Sequence, residues 1–346
     1  MHQNSPSTDQ WKKLYKLMDE IKKISPWEWL SEQDMFTVEH PDTKELGFVS
    51  VMGAMGEHYS IAVYQGKESV AKLFYFLDNY EEGDDNSFEK LMEIRQLQAS
   101  FEDHDFLSKE DRRVIKKLGL TYRGKGSWPM FRRYDPGYMP WYINADDAGF
   151  MIYALQQTIE VSQRASDDPE LLYPDNGNAF LYRIQVKQGE KEVWKDSVWQ
   201  EPLEDETQIR FSLDKRLIKK VQSLPSENSE IEMDIFMSPN AVGETGNRPY
   251  YPYILLILDS KTGMIRAFEM IAPVPDMDAM WKKMPDTIAK ILINNTFLPD
   301  QIYVESEILY HSLNMLSNHV NVSVNFVESL IMMPEARRMF NEFSKE

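Results

Sequence analysis

The densest chemistry in this sequence lies between Lys109 and Arg133. Those 25 residues carry nine cations (Lys109, Arg112, Arg113, Lys116, Lys117, Arg123, Lys125, Arg132, Arg133) against Glu110 and Asp111 alone. The stretch is net +7, which leaves −25 on the rest of a chain whose total is −18. Tyr122, Trp128, Phe131 and Tyr134 are interleaved with the cations. Guanidinium forks match phosphate or carboxylate oxygens, and aromatic faces stack planar rings. Gly124 and Gly126 let backbone N–H groups approach an anion. We therefore read Arg112, Arg113, Arg123, Lys125, Trp128, Arg132 and Arg133, with Tyr138 and Trp141 from the Pro-rich continuation, as a ligand surface. An anion is the favoured ligand and a protein partner the other candidate. A plainer alternative stays open. Arg112, Arg113, Lys116 and Lys117 would then be the wet face of a helix, and the other cations would pair with the chain's own carboxylates at ~0–1 kcal/mol each. The aromatic residues would pack across a sheet.

A second set is acidic. Asp259, Glu305 and Glu328 each end a predicted strand, and carboxylates at neighbouring strand ends can hold Mg²⁺ or Mn²⁺ for phosphoryl chemistry. Asp259 and Glu305 are thus the catalytic pair of an alternative reading, a metal-dependent phosphoryl-transfer or nuclease-like enzyme. Their simpler roles are a turn before Gly263 and a helix cap. The six histidines show no helical or hairpin ligand spacing. His104, within Glu102-Asp-His-Asp105, is the one local cluster. No metal site and no cofactor are assigned. Nucleophile elbows, phosphate-binding Gly-Lys loops and strand-placed dinucleotide fingerprints are missing from the sequence.

Composition narrows the classes. With 42% apolar and 27% charged residues in 346, the chain is expected to fold as two domains. Zero Cys removes disulfides, thiol catalysis and cysteine-ligated metals. The net charge of −18 disfavours a general nucleic-acid coat or an anionic membrane surface. Met1 to Gln10 is polar, and the longest apolar run, Tyr253 to Leu258, is far below the ~20 residues of a membrane span, so a cytoplasmic protein is expected.

The elements that must position these residues follow from periodicity. Residues 8–24 and 145–164 predict amphipathic helices, and a helix capped by Ser108 with Asp111 follows a strand at 97–101. Strands are predicted at 34–39, 47–52 and 59–64, a helix at 67–80, and an aromatic, Pro-rich loop from Trp128 to Trp141. Pro- and Asn-rich turns near 166–178 suggest a boundary. We expect an N-terminal α+β domain over 1–175, a connecting hairpin, helix and strand over 176–246, and a C-terminal domain over 247–346. The fold class is α+β: an antiparallel N-terminal sheet with flanking helices, then a mixed-sheet ββαβαβα unit.

Several motifs carry a resemblance. Pro26-Trp-Glu-Trp-Leu30, Pro41-Asp-Thr-Lys-Glu-Leu-Gly-Phe48 and Val51-Met-Gly-Ala-Met-Gly-Glu57 resemble the start of a bacterial domain family of unknown function. Trp128-Pro-Met-Phe-Arg132 and Pro136-Gly-Tyr-Met-Pro-Trp141 match its later landmarks. Tyr253-Ile-Leu-Leu-Ile-Leu-Asp259 with Thr262-Gly263 is similar to a second such domain that often follows the first. The resemblance implies a domain pair and a bacterial origin, and transfers no catalytic residue. A Cys- and His-containing zinc appendage of some members is missing from this Cys-free chain. The order of elements after Tyr253 also looks somewhat like the ribonuclease H fold, which places acidic metal ligands on its first and fourth strands. A third strand before Met277 is missing, because Pro273 and Pro275 occupy that space. Residues 231–237 would replace it only through a different connectivity.

Overall fold

A computed structural model describes residues 4–80, 87–177, 179–200, 209–243 and 247–343. The chain divides into two compact units, Met1–Asp135 with Pro140–Glu206, and Pro136–Met139 with Thr207–Glu346.

In the first unit the elements run α1 (Thr8–Ile24), β1 (Phe36–Glu39), β2 (Leu46–Met52), β3 (Ser60–Gln65), α2 (Gly66–Asp78), α3 (Ser87–Met92), β4 (Gln96–Glu102), α4 (Lys109–Lys117), β5 (Trp128–Tyr134), α5 (Ala145–Asp167), β6 (Phe180–Gln188) and β7 (Lys191–Trp199). Seven strands form one sheet in the order β5-β4-β3-β2-β1-β6-β7. Every pairing is antiparallel except β1 with β6. Capping boxes start α1 (Ser7 with Gln10) and α5 (Asn144 with Asp147), each leaving an apolar stripe to bury. Leu14, Met18 and Ile21 of α1 and Met151, Ala154 and Leu155 of α5 cover the sheet face bearing Val49, Val51, Ile61, Val63, Leu97 and Phe131. On the other face Val70 and Leu73 of α2 pack with Phe48, Ala62 and Tyr64.

The second unit holds α6 (Lys215–Gln222), β8 (Ser226–Met237), β9 (Tyr253–Asp259), β10 (Ile265–Ile271), α7 (Met277–Lys282), α8 (Met284–Asn295), β11 (Leu298–Val304), α9 (Glu307–Ser317), β12 (Ser323–Phe326) and α10 (Met333–Phe343). Its sheet has the order β10-β9-β8-β11-β12. Strands β8, β9 and β10 pair antiparallel, while β8 with β11 and β11 with β12 run parallel. The fold is α+β, with a mostly antiparallel first sheet and a mixed second one.

Three expectations change. The predicted loop from Trp128 opens as β5. Pro129 is tolerated there because β5 is an edge strand, and its outer bridge to Trp141 forms at Arg133, four residues further on. The segment 176–246 is no connector: β6 and β7 extend the first sheet beside β1, whereas β8 is the central strand of the second. It is β8, entering ahead of β9, that supplies the strand missing before Met277. The first helix expected of the ββαβαβα unit is two, α7 and α8, parted at Lys283, because Pro285 sits in the first turn of α8 where its lost N–H costs nothing. Among the described residues no helix is long and apolar enough to cross a membrane.

Candidate functional site

Helix α4 builds one wall of the site. Ser108 Oγ accepts the Asp111 N–H (3.2 Å), and the Ser108 N–H donates to Asp111 Oδ2 (2.9 Å). Ile115 is buried, and Val114 and Leu118 pack on the core, which leaves Arg112 and Lys116 together on one face. Beside that face opens a cleft of about 410 Å³ lined by His104, Arg112, Ile115, Lys116, Gly119, Leu120, Thr121 and Trp128. Small-molecule sites are typically ~300–1,000 Å³.

Strand β5 is tied to α4 by a largely buried ion pair. Arg132 Nη1 and Nη2 donate to Asp111 Oδ1 and Oδ2 at 2.9 and 2.6 Å. Burial disfavours the Asp111 carboxylate, yet the hydrogen bonds and charge of Arg132, with the Ser108 bonds, hold its pKa below the ordinary value. The loop between the walls is pinned as well. Lys22 Nζ donates to Gly126 O (3.2 Å) and Ser127 Oγ (2.7 Å), and Asp103 Oδ1 accepts the Gly126 N–H (2.7 Å). Gly126 sits at φ +53°, a conformation that suits a residue without Cβ. At the aromatic end the His104 and Tyr122 ring centroids lie 4.9 and 5.9 Å from that of Trp128.

Of the predicted ligand residues, Arg112 and Trp128 line this cleft. Arg123 and Lys125 are exposed on the loop between its walls. The others are engaged elsewhere. Arg113 pairs with Glu110 (2.8 Å), and Arg133 with Asp135 (2.5 Å) and Asp147 (3.5 Å). Trp141 exchanges backbone hydrogen bonds with Arg133 and turns its ring to Tyr142. Tyr138 belongs to the second unit, where its hydroxyl donates to Pro275 O (3.0 Å) and Arg248 lies over its ring. The single surface drawn from Arg112 to Trp141 is therefore divided. Arg112, Lys116, Arg123 and Lys125 form no ion pair among the described residues.

The acidic pair is not brought together. Because β9 runs antiparallel to β8 while β11 runs parallel, Asp259 stands level with Ile231 and Ile302, and Glu305 lies two strands across and three residues further along. That separates their Cα atoms by roughly 14 Å. Asp259 Oδ1 accepts from the Thr262 hydroxyl (2.8 Å), the Thr262 N–H (2.8 Å) and the Lys261 N–H (3.2 Å). Those bonds, the Thr262 hydroxyl foremost, lower its pKa. Glu328 is exposed beyond β12.

Glu305 instead neighbours two carboxylates of β8, the first strand of this unit, so the first and fourth strands do converge, through Glu232 and Asp234. All three hold the chain's own backbone or side chains. Glu232 accepts the N–H groups of Ile331, Met332 and Met333 at 2.9–3.1 Å, and Glu305 accepts that of Leu330 (3.1 Å). Arg337 Nε lies 2.8 Å from Asp234 Oδ2, a charge contact too poorly directed to complete a hydrogen bond at either atom. Burial pushes the Asp234 pKa up to about 6, with Arg337 opposing and Glu305 and Glu232 adding to the rise. Among the described residues no group of three or more His, Asp or Glu is placed to hold a metal ion.

A family model described as a domain of unknown function, DUF7309, matches residues 11–183, half of the chain. The chain belongs to the DUF7309 family. A second domain of unknown function, DUF6930, matches residues 217–341. No curated protein matches the chain. The DUF7309 match takes in α1 through the start of β6 and so contains the whole cleft, whereas Glu232, Asp234 and Glu305 fall in the DUF6930 match. Two patterns in the sequence bear on these sites. Arg112 and Lys116 have the i, i+4 spacing of one helix face, but Lys109 with Arg113 and Arg113 with Lys117 share it, so spacing alone does not single out the cleft pair. Glu230, Glu232 and Asp234 alternate with Ile231, Met233 and Ile235, which puts carboxylates on one face of a buried strand.

Proposed function

We propose that this protein binds a small anionic ligand in the cleft between α4 and β5 of its DUF7309 unit. What carries the reading is how the cations are divided. Arg113, Arg132 and Arg133 are engaged by Glu110, Asp111, Asp135 and Asp147, while Arg112 and Lys116 face the cleft with no carboxylate partner among the described residues. Ile115 and Leu120 add apolar surface, and Trp128 and His104 add ring faces. Such a mixture of apolar lining and a few placed charges is how small-ligand sites are built. A cytoplasmic location agrees with this reading, since small phosphorylated and carboxylated compounds are abundant there. The rival pair, Asp259 with Glu305, lacks the shared geometry that phosphoryl chemistry needs.

Calorimetric titration with inorganic phosphate and pyrophosphate tests the proposal. We expect binding that weakens with added salt, and a loss of at least about tenfold in Arg112→Ala/Lys116→Ala, since hydrogen bonds to charged groups contribute ~1.5–3 kcal/mol. Equal affinity in the double variant, or no binding of either anion by the native protein, would overturn it.

A further inference from the structure

Resting on that reading, we propose that the ligand is a mononucleotide, its phosphate held by Arg112 and Lys116 and its base stacked at Trp128. The two cations sit one helical turn apart on α4, a spacing of ~5–6 Å that lets both reach the oxygens of a single phosphate. A bare inorganic anion needs only those two groups and leaves the rest of the cleft unexplained. The remainder combines two ring faces and apolar side chains with one hydroxyl. Trp128 and His104 meet at 64° with centroids 4.9 Å apart, and Ile115 and Leu120 line the cleft beside them. That corner suits the face and edge of a planar heteroaromatic ring better than a tetrahedral ion or an aliphatic acid. Thr121 contributes a hydroxyl suited to sugar oxygens.

Length selects one nucleotide over a strand. Binding a polymer requires a track of cations following successive phosphates. Here Arg132 and Arg133 are held by Asp111, Asp135 and Asp147, and Tyr138 lies in the other unit. A net charge of −18 disfavours a polyanion more than a ligand with a single phosphate. A volume of about 410 Å³ lies toward the small end of ligand sites.

The full chain is titrated by calorimetry with inorganic phosphate, ribose 5-phosphate, uridine, UMP, GMP and a single-stranded 12-mer. The expected result is that UMP or GMP binds at least about tenfold more tightly than ribose 5-phosphate, the increment a stacked base supplies. Trp128→Leu should abolish that advantage, bringing UMP and GMP to the affinity of ribose 5-phosphate. Trp128→Phe, which keeps a ring, should retain most of it and guards against a folding defect in the first variant. If phosphate and ribose 5-phosphate bind as well as the nucleotides, the anion reading stands and the mononucleotide is overturned. Equal binding of uridine, or tighter binding of the 12-mer, also overturns it. If none of the anions binds, the anion reading itself fails.

Discussion

Arg132 shows how one residue can look functional and be structural. Its fork closes on Asp111 at 2.6 and 2.9 Å, with both side chains about nine-tenths buried. Removing one partner of such a pair strands the other charge, at a cost of ~3–5 kcal/mol. Arg132→Ala should therefore destabilise the first unit by about 3 kcal/mol in urea unfolding at pH 7. Arg112→Ala, at the cleft surface, should stay within about 0.5 kcal/mol of the native protein. The lowered pKa of Asp111 sets the pH dependence. Its contribution is present above the unfolded carboxyl value near 3.8 and is lost as pH falls through the lower folded value. Similar unfolding curves for Arg132→Ala and native protein at pH 7 would sink this assignment.

Strand β8 does the corresponding work at the scale of an element. It enters the second sheet at its centre and turns Glu232 and Asp234 toward the segment that leads into α10. Backbone N–H groups at the start of that helix thus end on carboxylates, where the helix dipole favours negative charge. Asp234 carries a penalty for this position, because its pKa in the folded chain is raised to about 6 against 3.8 unfolded. A raised acid pKa means that the folded state holds the proton more tightly between those values, so its contribution to stability is lost as pH rises through 6. Asp234→Asn keeps the site uncharged throughout. Its stability relative to the native protein should move in the variant's favour by about 2.5 kcal/mol between pH 4 and pH 7.5. A pH-independent difference would refute the raised value.

At the scale of the whole molecule, the first family match, within its own span of residues 11–183, departs from the structural division at one short place. Residues 136–139 lie inside the DUF7309 match yet cluster with the second unit, where the Met139 N–H donates to Pro249 O and the Tyr251 N–H to Gly137 O. Gly137 holds φ +76°, and a Cβ there would come within 2.8 Å of Pro273. Gly137→Val combines left-handed strain with a clash, a cost of about 2–3 kcal/mol. Hydrogen exchange should show lost protection in β9 and neighbouring second-unit strands, with β2 to β4 of the first unit unchanged. Uniform loss across both units would contradict the division.

What was legible in the sequence by itself was local. The period of apolar residues marked α1, α5, β9 and β11, the Ser108–Asp111 pair marked the start of α4, and the charge count marked the segment that holds the cleft. The fold class follows from those periods, since an element must bury the face its pattern makes apolar. Only the tertiary structure decided pairing. Nothing within residues 180–199 or 226–237 says which sheet receives them, because strand order depends on partners distant in sequence. The same holds for charge. Nine cations look equivalent along the chain, and only folding brings Asp111, Asp135 and Asp147 to Arg132 and Arg133, leaving Arg112 and Lys116 at the cleft. Strand direction likewise parted Asp259 from Glu305 and joined Glu305 to Asp234, since an antiparallel neighbour presents its carboxyl end at the opposite edge of the sheet.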